Sequence, residues 1–507
     1  MSNTTACPLD CYDACEIVFE EGGLKGLKKG HTQGFLCPHL NHYDKHPVIQ
    51  RPRYKGQEIT IEEALLKLKE MLLTCQKNEV LHYRGSGNFA LMQEVTDHFF
   101  ASYGAVLTEG SLCDGAGEAG IIEGRGSNKN MPLQEAAKSE VVIFWGRNPH
   151  TTSSHILPLI KDKTIIVIDP VKTKIAKSAD LYVQIKPHTD IFLAMMLSRF
   201  LHIENGCDIE FLDKYASEYE DYYELTQGIR IKAILDHMDV SLGAIGDILN
   251  LVKDKKVAIV CGVGIQKYSD GADTMRAIDA FAAMLGLFGK EGCGVSYLGA
   301  SRDGVTSPFN KSAKRVSKVN TEFGDFKTVF IQGANPLAQM PDSLRVKSSI
   351  QSVENLVYFG LYENETAQAA DLVIPAKSFL HKNDIRTSYS HNIMSFMPKM
   401  KDSDTGISEY DLSAYLCREF DINIESEEHY LKHFKNFAVQ KMDGEWYVEN
   451  REEVPYKEGF DTDEGEFLFL DELDSKIDDE DGYYLITCKS QKSLNSQFNR
   501  EESVYLH

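Results

Sequence analysis

Val141-Val-Ile-Phe-Trp-Gly-Arg-Asn-Pro149 and Thr328-Val-Phe-Ile-Gln-Gly-Ala-Asn-Pro336 decide how this 507-residue chain is to be read. In each, a mostly apolar run of five residues leads into Gly-x-Asn-Pro. Runs apolar at nearly every position are strands buried on both faces, which indicates parallel sheets in an α/β fold. Ligands bind such sheets beyond the carboxyl ends of the strands, where Gly-x-Asn-Pro falls here. An Ala-x-x-Ala-Asp-Leu segment follows each copy, at Ala176–Leu181 and Ala367–Leu372. Asn148 precedes Asp180 by 32 residues and Asn335 precedes Asp371 by 36. One Gly-x-Asn-Pro is merely a turn. Its recurrence at similar spacing predicts two related α/β domains, each with a polar ligand loop at a strand end.

Further strands are expected at Thr164–Asp169, Lys256–Cys261 and Leu356–Phe359. Thr60 and Glu63 form a capping box before Ala64, Leu65, Leu68, Met71 and Leu72, so a helix begins there. Residues 461–482 hold eleven acidic residues against one Lys and read as a solvated linker or loop. Gly482–Cys488 opens another strand.

Lys+Arg 54 against Asp+Glu 76 leaves a net charge of −22, which argues against nucleic acid or an anionic membrane as partner. No stretch approaches the ~20 apolar residues of a membrane span. Met1–Cys7 has no basic or apolar leader pattern, so a cytoplasmic protein is expected. The 11 cysteines then stand as thiols or metal ligands rather than disulfides.

Four cysteines crowd the first 37 residues, as Cys7-x3-Cys11-x3-Cys15-x21-Cys37. Pro8 disfavours a helix interior, so a folded-back loop surrounds a metal. Cys37 stands alone where a structural zinc site would have a second knuckle. A [4Fe-4S] cluster is favoured over zinc or free thiols. Cys113 sits in the Gly-rich stretch Gly110–Gly120. Small neighbours admit a bulky ligand to its sulfur, although an inert buried thiol fits the residues equally. Gly115-x-Gly117-x-x-Gly120 imitates a dinucleotide motif, but no strand precedes it and no acidic strand end follows, which speaks against NAD. Cys75, Cys207, Cys261, Cys293, Cys417 and Cys488 are expected in the core.

Taken in order, Cys7-Pro-Leu-Asp-Cys-Tyr-Asp-Ala-Cys15, Gly34-Phe-Leu-Cys37, Gly146-x-Asn-Pro149, Asp169-Pro-x-Lys-Thr173 and Glu365-Thr-Ala-x-x-Ala-Asp371 resemble a known family. It is the molybdopterin oxidoreductase catalytic subunits of the dimethyl-sulfoxide-reductase superfamily, which includes formate dehydrogenases and thiosulfate or polysulfide reductases. The resemblance implies a [4Fe-4S] cluster on Cys7, Cys11, Cys15 and Cys37. It also implies a bis(molybdopterin guanine dinucleotide) centre with Mo or W, the metal held by Cys113. Asn148, Asp169, Thr173, Asp190, Gly262 and Asn335 would be cofactor-binding, with Asp169 accepting from ribose and Asp190 from guanine. Cys113, Asp114 and Arg302 would be catalytic, and Glu118 is a further candidate for proton transfer. His39 stands where many relatives have Lys, and Asp114 where a formate dehydrogenase has His. Both departures argue against formate.

The expected organisation is α/β: a small N-terminal Fe–S module at 1–52, a discontinuous pterin-dinucleotide domain at 53–112 and 341–460, and a second at 113–340. Residues 482–507 would start a C-terminal dinucleotide-binding domain that the chain leaves incomplete. The expected function is two-electron redox of a small-molecule substrate, with electrons leaving through the cluster to a ferredoxin-like protein or iron–sulfur subunit. Two alternatives stand beside it: a non-redox, tungsten hydratase-like enzyme using Asp10 or Asp13, and a non-catalytic electron-transfer subunit lacking the metal.

Overall fold

The apolar runs form strands in the computed structural model, which describes residues 3–20, 23–28, 32–441, 444–475, 482–490, 494 and 504–506. Val141–Trp145, Val257–Cys261 and Thr328–Gln332 are each buried at every position. They fall into two sheets. The five-stranded sheet runs Leu181–Val183, Thr164–Ile168, Val141–Trp145, Val257–Cys261, Gly294–Ser296, all parallel. The eight-stranded sheet begins with six parallel strands: Arg315–Ser317, Val106–Glu109, Val80–Arg84, Thr328–Gln332, Asn355–Gly360 and Leu372–Pro375. Arg53–Tyr54 and Gln57–Glu58 complete it antiparallel.

The α/β class with mainly parallel sheets is therefore as expected. The boundary at 340 is displaced, because Arg315–Ser317 and Thr328–Gln332, placed by sequence in 113–340, pair within the eight-stranded sheet. Each sheet thereby carries one copy of the repeat. The cause is long-range parallel pairing: Thr328–Gln332 lies in register with Val80–Arg84, far back in the chain.

Helices cover the five-stranded sheet, and one of them, Asp190–Ile203, is buried without a break from Asp190 to Ser198. Ile61–Leu73 starts as expected, with the Glu63 amide donating to Thr60 Oγ1 at 3.2 Å and the Thr60 amide to Glu63 Oε2 at 2.8 Å. Ahead of both sheets, Thr4–Ala6, Glu16–Glu20 and Gly23–Gly26 form a small antiparallel sheet packed on Phe379 and Met397. The acidic segment is more than a solvated linker. Phe467–Leu468 pairs with Ala216–Ser217, and Phe467, Phe469 and Leu470 are buried. Among residues 482–507, Leu485–Thr487 and Val504–Leu506 pair antiparallel, and the rest lies partly outside the described residues. Among the described residues no helix is long and apolar enough to cross a membrane.

Candidate functional site

The same backbone device closes the carboxyl edge of both sheets. Gly146 (φ 61°) and Gly333 (φ 53°) turn the chain off their strands in the left-handed region, which glycine enters without strain. Their amides donate to the neighbouring strand, Gly146 to the Ile168 carbonyl at 2.8 Å and Gly333 to that of Phe359 at 3.0 Å. On the other side, the Gly262 amide donates to the Trp145 carbonyl at 2.7 Å and that of Gly85 to Gln332 at 2.8 Å. A Cβ at Gly262 would collide with the Gly146 carbonyl, and one at Gly85 with the Gly333 carbonyl. Gly262-Val-Gly264 and Gly85-Ser-Gly87 are thus matching halves of the repeat, and the second is one that the sequence reading missed.

Between the two edges lies one cavity of about 1230 Å³. It brings together Cys113, Asn148, Asp169, Thr173, Asp190, Gly262 and Asn335, which are far apart in sequence. Burial raises Asp169 to about 6. Burial raises Asp190 to about 7, although Trp145 Nε1 donates to its Oδ1 at 2.7 Å. Thr173 Oγ1 is buried with no hydrogen-bond partner among the described residues. Asn335 is internally bound: its Nδ2 donates to Glu365 Oε2 at 2.7 Å, and Thr366 Oγ1 donates to its Oδ1 at 2.7 Å. Asn148 makes weaker local contacts, its Nδ2 donating to Thr151 Oγ1 at 3.2 Å. Cys488, expected in the core, lines this cavity instead.

Cys113 is presented by a pinned loop. Its carbonyl accepts from Gln266 Nε2 at 2.9 Å and Lys267 Nζ at 2.5 Å, while its amide donates to Ser111 Oγ at 3.0 Å. Burial, then the charges of Asp114 and Asp10, raise its thiol to about 11. The adjacent glycines serve packing, which explains the misleading dinucleotide pattern. A Cβ at Gly120 would strike the Ala272 backbone, and one at Gly117 the Tyr297 ring. Asp114 accepts from Ser111 Oγ at 2.5 Å and does not line the cavity. Arg302 pairs with Glu94, also outside the lining, and Glu118 accepts from Asn128 Nδ2 at 3.2 Å.

The four N-terminal cysteines come together from two segments, close enough that the charges of Cys37 and Cys11 bear on Cys7 and those of Cys7, Cys11 and Cys37 on Cys15. Burial raises all four thiols, Cys37 to about 12. Residues no motif announced hold the loop in place. Arg386 donates to the Cys7 carbonyl and, at 2.8 Å, to that of Leu9; Ser388 and Ser390 hydroxyls donate to the Tyr12 carbonyl at 2.8 Å. Arg147 lies 4.6 Å from the Tyr12 ring centroid and lines the cavity, as do Pro8 and Asp10 of the cysteine loop. Asp13 faces away from the cavity: its Oδ2 lies 2.9 Å from His155 Nδ1, which is 3.3 Å from Cys15 Sγ. Asp10 does line the cavity.

Residues 45–417 match the family described as Molybdopterin oxidoreductase. The chain belongs to this family. Among curated proteins it is 28% identical to "Probable oxidoreductase YyaE" of Bacillus subtilis, over 78% of this chain and 65% of that protein. It is 23% identical to the assimilatory nitrate reductase catalytic subunit of the same organism, over 76% and 63% of the two chains. The figures for formate dehydrogenase H of Escherichia coli are 23%, 77% and 64%. The chain thus spans somewhat under two thirds of the length of these relatives. Among solved structures, acetylene hydratase from Pelobacter acetylenicus superposes with a TM-score of 0.73 at 15% identity, covering 92% of this chain and 77% of that one, a likeness of fold.

Proposed function

We propose that this chain carries out two-electron redox of a small substrate at a Mo or W centre held by Cys113 and two molybdopterin guanine dinucleotides. One observation carries the reading: a single cavity between two matching sheet edges gathers Cys113 with both sets of strand-end residues. The cradle fits such a group. Gly85, Gly146, Gly262 and Gly333 leave its floor without side chains, and Thr173 offers a buried hydroxyl with no protein partner. When bound, the cofactor supplies a metal that exchanges two electrons with substrate.

The protein's own part is binding and orientation. Asp190 and Asp169 sit raised by burial, so each gains most by accepting from ligand donors, guanine N–H at Asp190 and ribose hydroxyls at Asp169. The Cys113 thiol, held up by burial and two carboxylates, ionises when a cation shares its site. Lys267 and Gln266 hold its carbonyl, which fixes the backbone that presents the thiol. Cys7, Cys11, Cys15 and Cys37 would hold a [4Fe-4S] cluster, and a ferredoxin-like protein or iron–sulfur subunit would take its electrons one at a time. A cytoplasmic setting suits eleven reduced thiols.

Anaerobically purified protein is expected to hold about four Fe, one Mo or W and two pterin dinucleotides. Cys113→Ser is expected to keep the iron and lose turnover with a viologen dye. Iron without Mo, W or pterin would overturn the catalytic reading, and absence of iron would overturn the cluster. Turnover in the reduced enzyme with no electron acceptor would instead favour hydration, with Asp10 rather than Asp13 as the candidate carboxylate, since Asp10 lines the cavity and Asp13 does not.

A further inference from the structure

Three of the four N-terminal thiols are met by main-chain amides, and the fourth is met by a side chain. The Leu9 amide donates to Cys7, those of Asp13 and Ser153 to Cys11, and those of His39 and Leu40 to Cys37. At Cys15 the donor is an imidazole, with His155 Nδ1 3.3 Å from Sγ. The same nitrogen lies 2.9 Å from Asp13 Oδ2, and the His155 amide donates to that oxygen at 3.3 Å. On the other side of the ring, His155 Nε2 lies 3.2 Å from the Phe35 carbonyl, and the two rings stack with centroids 4.2 Å apart. Thiolate, carboxylate and carbonyl are all acceptors, so both ring nitrogens donate.

Asp13, Cys15 and His155 are each more than nine-tenths buried. After burial itself, the charge of Asp13 is what most opposes a thiolate at Cys15. A buried carboxylate beside a buried thiolate is unfavourable, and one N–H shared by both offsets it. His155 also ties separate parts of the chain together. Asp13 and Cys15 belong to the first cysteine segment, and Phe35 to the stretch that leads to Cys37. His155 itself follows Gly146, Asn148 and Thr152, which line the cavity.

We propose that His155, oriented by Asp13, donates a hydrogen bond to Cys15 that raises the reduction potential of the cluster these four thiols would hold. A donor to a cluster sulfur stabilises the reduced, more negative state. His155 and Asp13 are thus positioning residues for the electron exit. The inference deepens the proposed function and rests on its cluster reading.

The test is a potentiometric titration of the purified holoenzyme, read by electron paramagnetic resonance of the reduced cluster, with iron measured on each preparation. His155→Leu removes the donor, and His155→Asn returns an N–H to the place of Nδ1. At the wild-type midpoint, His155→Leu is expected to lower the ratio of reduced to oxidised cluster about tenfold, a shift of about 59 mV for one electron. His155→Asn is expected to restore most of that ratio. Full iron with an unmoved midpoint in His155→Leu would overturn the inference, and so would an equal lowering in both variants. If His155→Leu does not retain iron, the wild type decides. With the heavy nitrogen isotope confined to histidine, a nitrogen coupling to the reduced cluster is expected that His155→Asn lacks, and its absence would overturn the inference. Absence of iron from the wild type would overturn the cluster reading and the inference with it.

Discussion

The two sheet edges share a backbone and differ in the side chains placed on it. At both, a left-handed glycine turns the chain off its strand, and a second glycine on the neighbouring strand lies against the first one's carbonyl. The five-stranded edge then presents Asp169 and Asp190, two carboxylates raised by burial. In the matching register of the eight-stranded edge, Gly360 stands where Asp169 does, and Asn335 is tied to Glu365 and Thr366. The duplicated feature is close approach to a ligand, which only backbone provides. The recognition chemistry has diverged, so the two edges should fail differently when altered.

The largest effect is expected where they are alike. Gly262→Ala drives a methyl into the Gly146 carbonyl, and neither is the end of a flexible side chain. Overpacking against backbone costs about 3 kcal/mol and opens the strand ends. Thermal unfolding should fall accordingly, with pterin lost from the purified protein. Gly85→Ala should do the same at the other edge. If only one of the two loses pterin, the two edges are not equivalent binding sites.

The carboxylates set the edges apart. Asp190, raised to about 7, keeps its proton in the folded protein through a range where an unfolded Asp at ~3.9 has lost it. The folded state then binds the extra proton between about pH 4 and 7, so stability of the unloaded protein declines as pH rises through that window. Asp190→Asn should flatten the decline, leaving the smaller contribution of Asp169 below about 6. Guanine N–H groups need the ionised carboxylate, so calorimetric affinity for guanosine diphosphate should rise about tenfold per pH unit up to about 7 and then level. An unchanged slope in Asp190→Asn would move guanine recognition elsewhere.

Three strands of the five-stranded edge, Val141–Trp145, Thr164–Ile168 and Val257–Cys261, were open to sequence reasoning because they are almost wholly apolar and their motifs are contiguous. Leu181–Val183 and Gly294–Ser296 are too short to announce themselves. The eight-stranded edge was half hidden. Val80–Arg84 carries His82, Tyr83 and Arg84, too polar to read as a buried strand, yet its imidazole and guanidinium find partners inside the protein. His82 Nε2 pairs with Gln332 Oε1 at 3.0 Å and its ring stacks on Phe100, while Arg84 takes Asp97. Gly85-Ser-Gly87 was lost with that strand. Long-range register hid the placement of 315–332 for the same reason, since pairing with 80–109 leaves no local mark. Of the candidate site residues, those at strand ends gather at the cavity because topology puts all strand ends there. Asp114 and Arg302, which the family resemblance implied as catalytic, fall outside it. Lys318 and Arg147 belong to no motif, and only the fold assembles them at the cavity.

The smallest expected difference separates the paired asparagines. Asn335 is buried and ties Glu365 and Thr366, so Asn335→Ala leaves the buried Thr366 hydroxyl without its acceptor, at a cost of about 2 kcal/mol, while the exposed Glu365 carboxylate turns to water. Asn148 is half-buried and spans only its own turn, so Asn148→Ala should cost under about 1 kcal/mol. Ligand binding should invert the order. The amide of Asn148 is weakly engaged and free to turn to a ligand in the cavity, whereas that of Asn335 already serves the protein. Asn148→Ala should therefore weaken cofactor retention on dilution more than it lowers the unfolding temperature, and Asn335→Ala the reverse. Equal ratios of the two effects in both variants would mean that the repeat kept its side-chain chemistry as well as its backbone.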